Sequence, residues 1–459
     1  MILQYVYRPV LNFIYEKITY RISEKHRNII IFLCFFSVFF VQFLSQYILG
    51  YDVISRGTRD YIICLLMGIA IVMSVKDYLK ILKWRKSIYI PYLIVGLLIF
   101  FASIDHYLGI GYRAFPFEML VAFMSLYYVW GNRRDYNILL ELAAKSYLLF
   151  SFILFIGCLI KYPYYDHGFL SYATDYSPYY INPNGVSKLF LPGLASAVFL
   201  LIKNRNYMRL VYAGIAGGIC SIIYLTNSRT GIICSVLIII IYIAYKVVLA
   251  YKDGKINVEI KGIAVDLLIM VCIGLISVSI LIMTSVRSLD DVEAARKAVE
   301  SVTEEQRIEQ MSDKELYKYN LKKQGEENIS DSEVLSSLNS FTAGRIAIWN
   351  IYFNNMTWSG EDELLFGRTE YAHNQYIELS YKAGIPTGII YLLLIVAIGI
   401  KLIFDLFKNA NCKKYIVFQL FVFIIYFMAT MLDTGILPFE RGYIFVFYVI
   451  IAPMFILDK

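Results

Sequence analysis

Charge is scarce in this sequence. Asp, Glu, Lys and Arg make up 17% of its 459 residues, against 59% hydrophobic ones. A water-soluble domain carries roughly 25% charged and 45–50% apolar residues, so a soluble globular enzyme is excluded. Histidine is scarce too, with four in the chain, and neither these nor the seven cysteines stand at zinc-ligand spacing. No Walker or Rossmann glycine pattern is present, which removes ATP and dinucleotide chemistry. No cofactor is expected. Residues 1–28 lack the apolar core of a cleavable signal peptide and read as an interfacial helix. No internal repeat is visible.

What is present in quantity is uninterrupted apolar sequence. Runs of about 18 residues or more recur, each long enough to cross about 30 Å of hydrocarbon as a helix. Twelve are expected: 29–49, 60–77, 88–104, 112–130, 138–160, 184–202, 207–226, 230–249, 263–284, 382–404, 415–433 and 439–457. The fourth is interrupted by Arg113, Pro116 and Glu118. Forty Tyr and 31 Phe suit aromatic belts at helix ends.

Lysine and arginine gather in alternate loops, such as Lys76–Lys86, Lys203–Arg209, Lys246–Lys261 and Lys401–Lys414. The intervening short loops hold one or two basic residues each. The positive-inside rule then puts both termini in the cytoplasm and residues 285–381 outside. The net charge of +7 belongs mostly to cytoplasmic loops, so it reports topology and implies no nucleic-acid partner. On this topology no cysteine lies in an outer loop, and no disulfide framework is expected. The chain divides into a cytoplasmic interfacial segment (1–28), nine spans (29–284), a long extracytoplasmic loop (285–381) and three further spans (382–459).

The long loop carries three capping boxes, Ser288…Asp291, Ser312…Glu315 and Ser330…Glu333, which predict short amphipathic helices. Its first half is acidic and reads as a solvated lid or spacer. From Phe341 it turns apolar and aromatic, as a helix lying on the membrane interface does. The turn Glu361-Asp362-Glu363 reads as solvated in preference to a cation site, and no metal site is expected.

Several polar residues collect at the outer boundary. Arg229 lies in Asn227-Ser228-Arg229-Thr230-Gly231 between two spans, where a cation marks either function or snorkelling to headgroups. Arg345 and Trp349 share a helix face, so a guanidinium can fork onto phosphate beside an interfacial ring. Arg368 precedes His373-Asn374, and Gly384-Ile-Pro-Thr-Gly388 follows, allowing a kink or close packing. Glu378 and Lys382 are spaced for an ion pair. The Tyr-rich stretch 161–183 suits glycan stacking and an aromatic belt equally, and leads into Asn184 and the intramembrane cation Lys188.

Taken together, Ser228–Gly231, Gly344–Trp349 and Arg368–Leu394 resemble the O-antigen polymerase/O-antigen ligase family of bacterial polysaccharide polymerases. Within roughly 182–394, the single Gly367 before Arg368 departs from the family's glycine-spaced pattern. The resemblance implies an all-α, GT-C-like polytopic membrane protein of the bacterial cytoplasmic membrane. It implies an inverting, metal-independent glycosyltransferase that polymerises oligosaccharide repeat units into O-antigen or capsule. The donor would be undecaprenyl diphosphate-linked oligosaccharide on the outer face, with membrane lipids, a chain-length regulator and a flippase as partners. His373, Arg229 and Arg345 would be catalytic, and Asn374, Arg368, Lys188 and Asn184 would bind substrate. Two other readings stand beside it: a ligase moving finished glycan onto a lipid A core, and a lipid-linked sugar flippase. Transporters place ionisable groups near the midplane, whereas here they gather at one face.

Overall fold

A computed structural model describes residues 2–45, 56–75, 136–160, 167–169, 176–178, 183–204, 206–285, 293–358 apart from 295–296, 298–300, 302, 310, 312, 331 and 343, then 372–408, 413–432 and 450. It is about 89% helical, and eight helices among the described residues are long and apolar enough to cross a membrane. That composition is consistent with an all-α membrane protein. The expected spans 88–104 and 112–130, and 439–457 apart from Ile450, lie outside the described residues.

The chain opens with α1 (Ile2–Lys17) and a single 3-10 turn, then α2 (Glu24–Phe43), capped by Ser23, and α3 (Arg56–Ser74). Helix α4 (Tyr136–Leu159) precedes a small antiparallel ribbon, β1 (His167–Phe169) against β2 (Tyr176–Pro178), with Gly168 opposite Ser177. Four long helices follow: α5 (Pro183–Lys203), α6 (Met208–Leu225), α7 (Arg229–Lys252) and α8 (Ile256–Thr284). Helix α5 is the most enclosed and packs on α4, α6, α7 and, further along the chain, α15 (Lys413–Leu432). Helices α7 and α8 keep most of their apolar surface on the outside of the bundle, as a lipid-facing helix must, since hydrocarbon offers no penalty for exposed Ile and Val.

Buried polar contacts fix the end of the bundle opposite the motifs. Glu141 of α4 accepts from Tyr415 Oη (2.7 Å) and pairs with Lys203 Nζ of α5 (2.5 Å). Asp266, fully buried in α8, accepts from Arg209 Nε (2.9 Å) and Nη2 (2.6 Å) and from the hydroxyl of Tyr242. Local periodicity gives no hint of this triad. A carboxylate buried in a span is stable only with partners, and two neighbouring helices, α6 with Arg209 and α7 with Tyr242, supply them.

The segment between α8 and α14 holds α9 (Glu304–Glu309), α10 (Asp313–Ile329), α11 (Glu333–Phe341), α12 (Arg345–Asn354) and α13 (Gln375–Ala383), which leads into α14 (Ile385–Lys408). Short helices therefore do occupy the region where capping boxes predict them, but the caps differ. Helix α11 is capped by Ser332, whose Oγ accepts from Leu335 N–H at 3.3 Å. Ser330 instead donates to the Glu327 carbonyl at 2.7 Å and closes α10. The expected Ser330…Glu333 box is thus displaced by two residues, because Ser330 is consumed by the preceding helix. Ser288, Asp291 and Ser312 lie outside the described residues. A reciprocal box that the sequence reading passes over joins Thr303 and Gln306 at the start of α9.

Candidate functional site

Ser228 caps α7, its Oγ accepting the Gly231 N–H at 3.2 Å. The same hydroxyl takes a 2.6 Å hydrogen bond from Ser187 Oγ and lies 3.4 Å from Asn184 Oδ1. Asn184, expected to bind substrate, thus supports the turn that presents Arg229. That turn follows Asn227, whose φ of 51° lies in the left-handed region that asparagine tolerates better than most residues. Arg229 itself is exposed.

Arg345 is the first residue of α12. Gly344 precedes it at φ 83°, a conformation that L side chains rarely adopt. The Ala347 N–H is taken by Asn339 Oδ1 of α11 at 2.9 Å. Arg345 is half-buried, and its guanidinium pKa is pushed below the ordinary arginine value by burial first and then by the positive charge of Arg229. Residues far apart in sequence therefore present two like charges to one place. Such an arrangement is costly without an anion and favourable with one.

One turn along α12, Trp349 Nε1–H donates to the Ala372 carbonyl at 2.7 Å. The expected Arg/Trp face is present, and its Trp ties the arginine helix to the His373 segment. Ile351, Tyr352, Ala372, Ile377 and Tyr381 form a small separate core beneath this junction.

His373 is half-buried and has φ 50°. Among the described residues, it and Asn227 are the non-glycine residues with positive φ, and each adjoins a motif. Left-handed backbone at a non-glycine residue costs roughly 1–3 kcal/mol and persists where neighbours over-determine it. The neighbours can be named. Ala372 is held at its carbonyl by Trp349 and at its N–H by Glu378 Oε2 (2.9 Å). Asn374 caps α13, accepting from Tyr376 N–H (3.0 Å) and Ile377 N–H (3.1 Å), and donates to the Met431 carbonyl of α15 (3.0 Å). The role these contacts give Asn374 is to hold the turn. Glu378 pairs with Lys382 as expected, and its bond to Ala372 adds a second task that spacing alone does not reveal.

The carboxyl end of α15 joins the two halves. Thr430 and Met431 hold Tyr376 and Asn374. Ala429 and Leu432 line a small cleft with Asn184, Ser187, Lys188, Leu191, Thr230 and Ile425. Lys188 also borders a second cleft, with Phe39, Gln42, Tyr147, Phe150 and Leu189. The structure thus brings Arg229, Arg345, His373, Asn374, Asn184 and Lys188 to one end of the bundle. Arg368 and the Glu361–Glu363 turn lie outside the described residues. Gly384, at φ 86°, ends α13, and a Cβ on Gly388 would lie 2.5 Å from the Tyr376 carbonyl oxygen, so the glycine run serves both a break and a close approach.

Among the described residues no cluster of His, Cys, Asp or Glu is arranged to hold a metal ion. Compared with known proteins, the chain matches no family model and no curated protein.

Proposed function

We propose that this end of the bundle is the active site of a membrane glycosyltransferase. It extends a bacterial surface polysaccharide from polyprenyl diphosphate-linked oligosaccharide on the outer face of the cytoplasmic membrane. The observation that carries the reading is the pairing of Arg229 with half-buried Arg345, on a helix hydrogen-bonded to the His373 turn. In the reaction, an acceptor hydroxyl attacks the anomeric carbon and its proton passes to His373. The bond from that carbon to the diphosphate oxygen breaks, and the diphosphate leaves with the electron pair. Negative charge grows on the departing oxygen, where fixed cations stabilise the transition state most. The donor carries the bond energy, so neither nucleotide nor metal is needed. The cleft beside Lys188 is walled by Leu191, Ile425, Ala429 and Leu432, which suits the junction of an isoprenoid with its phosphate. Ligase activity would use the same site with another acceptor, while a flippase would have no use for a proton acceptor on a turn hydrogen-bonded to the arginine helix.

Purified protein given lipid-linked repeat units should elongate them, read as a ladder on a gel, and should do so in excess EDTA. Turnover lost to chelation and restored by Mg²⁺ or Mn²⁺ would move the chemistry to an acidic site. Orientation has its own test. On a background with the native cysteines replaced, a membrane-impermeant thiol reagent applied to whole cells should label Ser301→Cys and leave Lys408→Cys unmodified. Labelling of position 408 alone would put the site on the wrong side for an extracytoplasmic donor.

A further inference from the structure

Helix α11 turns an apolar face outward. Val334, Leu335 and Leu338 are all exposed. They fall within about 100° of one another around the helix, and Ser336 lies about 160° from both Val334 and Leu338. Such a stripe on a helix ordinarily covers a core, and here it does not. Charge tells what covers it. After Glu333, which opens the helix, residues 334–360 carry one charged side chain, Arg345. By contrast, nearly every second residue of the preceding α10 is Asp, Glu or Lys, so that helix belongs to water. A charge-poor helix with one apolar face lies in a membrane interface. The sequence puts that interface from Phe341 on, and a backbone contact ties the stretch to a span. Ile385 N–H, at the start of the long apolar helix α14, donates to the Thr357 carbonyl at 3.1 Å, beside an exposed Trp358. The outward face of α11 extends the same interface toward the amino end of the chain.

Asn339 joins α11 to the arginine helix. Gly344 stands at the N-cap of α12 and has no side chain to cap it. Asn339 does so from α11: its Oδ1 accepts the Ala347 N–H at 2.9 Å, and its carbonyl accepts the Gly344 N–H at 2.8 Å. Two bonds from one residue hold α11 to the first turn of α12. We infer that α11 is a surface anchor, seated in the outer leaflet by Val334, Leu335 and Leu338, which sets the depth of Arg345 at the lipid phosphates. The inference rests on the outer-face diphosphate reading above. It adds how the site meets a donor whose lipid stays in the bilayer: the arginine helix is hung from a helix that the bilayer itself positions.

Full-length protein in nanodiscs, with the native cysteines replaced and a bimane label on one introduced cysteine, tests the anchor. With lipids brominated near the headgroup end of their chains, labels at Val334→Cys and Leu338→Cys should be quenched several times more than one at Ser336→Cys. Asn339→Ala should leave the quenching at position 338 intact while polymer is lost, because α11 stays seated and no longer holds α12. Asn339→Asp, which keeps the accepting oxygen, should restore polymer. Equal quenching at 334, 336 and 338, or none at any of them, overturns the inference. So do disulfide-linked dimers through position 338 without quenching, which would make the apolar face a contact between two copies. Full polymer from Asn339→Ala overturns the link to Arg345. The expected quenching in a protein that elongates no lipid-linked repeat units keeps the membrane seat and overturns the diphosphate reading instead.

Discussion

Replacing His373 by glycine is expected to abolish detectable polymer while leaving the protein at least as stable as wild type. Glycine adopts φ 50° without the steric cost that histidine bears, so the backbone strain is relieved as the imidazole is removed. General base catalysis contributes about 10²–10⁴-fold, equivalent to roughly 3–5.5 kcal/mol of barrier. Elongation of lipid-linked repeat units measures the first effect, and thermal unfolding in detergent measures the second. His373→Gln keeps a hydrogen-bonding group but cannot take the proton at neutral pH. If it is as inactive as His373→Gly, proton transfer is the role; if it is largely active, the side chain only orients the acceptor. Donor affinity should be unchanged in all these variants, because the cations hold the diphosphate. An active His373→Gly would end the assignment.

Arg229 and Arg345 carry the second large effect. Each alanine variant should lose about 10²–10³-fold in turnover, the usual cost of deleting one preorganised group at a developing anion. The lysine variants should fall between alanine and wild type, since charge is kept but the bidentate fork is lost. The electrostatics add a sign that distinguishes a site from a structural ion pair. Burial first, and then the charge of Arg229, depresses the guanidinium pKa of Arg345, so the two like charges repel. Replacing Arg345 should therefore relieve repulsion and should not lower the melting temperature, whereas removing half of a structural pair would. Near-normal polymer from both lysine variants, or a sharp drop in melting temperature for Arg345→Ala, would reduce the pair to anchors.

The capping boxes show how far local pattern reaches. Thr303 with Gln306 obeys the reciprocal rule, yet Ser330 is spent closing α10 and Ser332 takes its expected place. Two serines in one turn compete for roles that neighbouring helices decide. Glu378 teaches the same. Its spacing to Lys382 identifies an ion pair, while its hydrogen bond to Ala372, which fixes the backbone before His373, runs through a tight turn that has no period to read.

The sequence by itself determined the all-α membrane character, the course of the eight long apolar helices found among the described residues and the stretches where polar residues collect. Those follow from composition and from the length of apolar runs, both of which hydrocarbon reads directly. Only the tertiary structure decided that the charge of Arg229 reaches Arg345, that Trp349 holds Ala372, that Asn374 is spent as a cap against Met431, and that Gly325 packs against Ala347. The physical reason is that each contact joins segments distant in sequence through side chains that cross between helices. Which crossing forms is set by where small residues let backbones approach, and that depends on both partners at once.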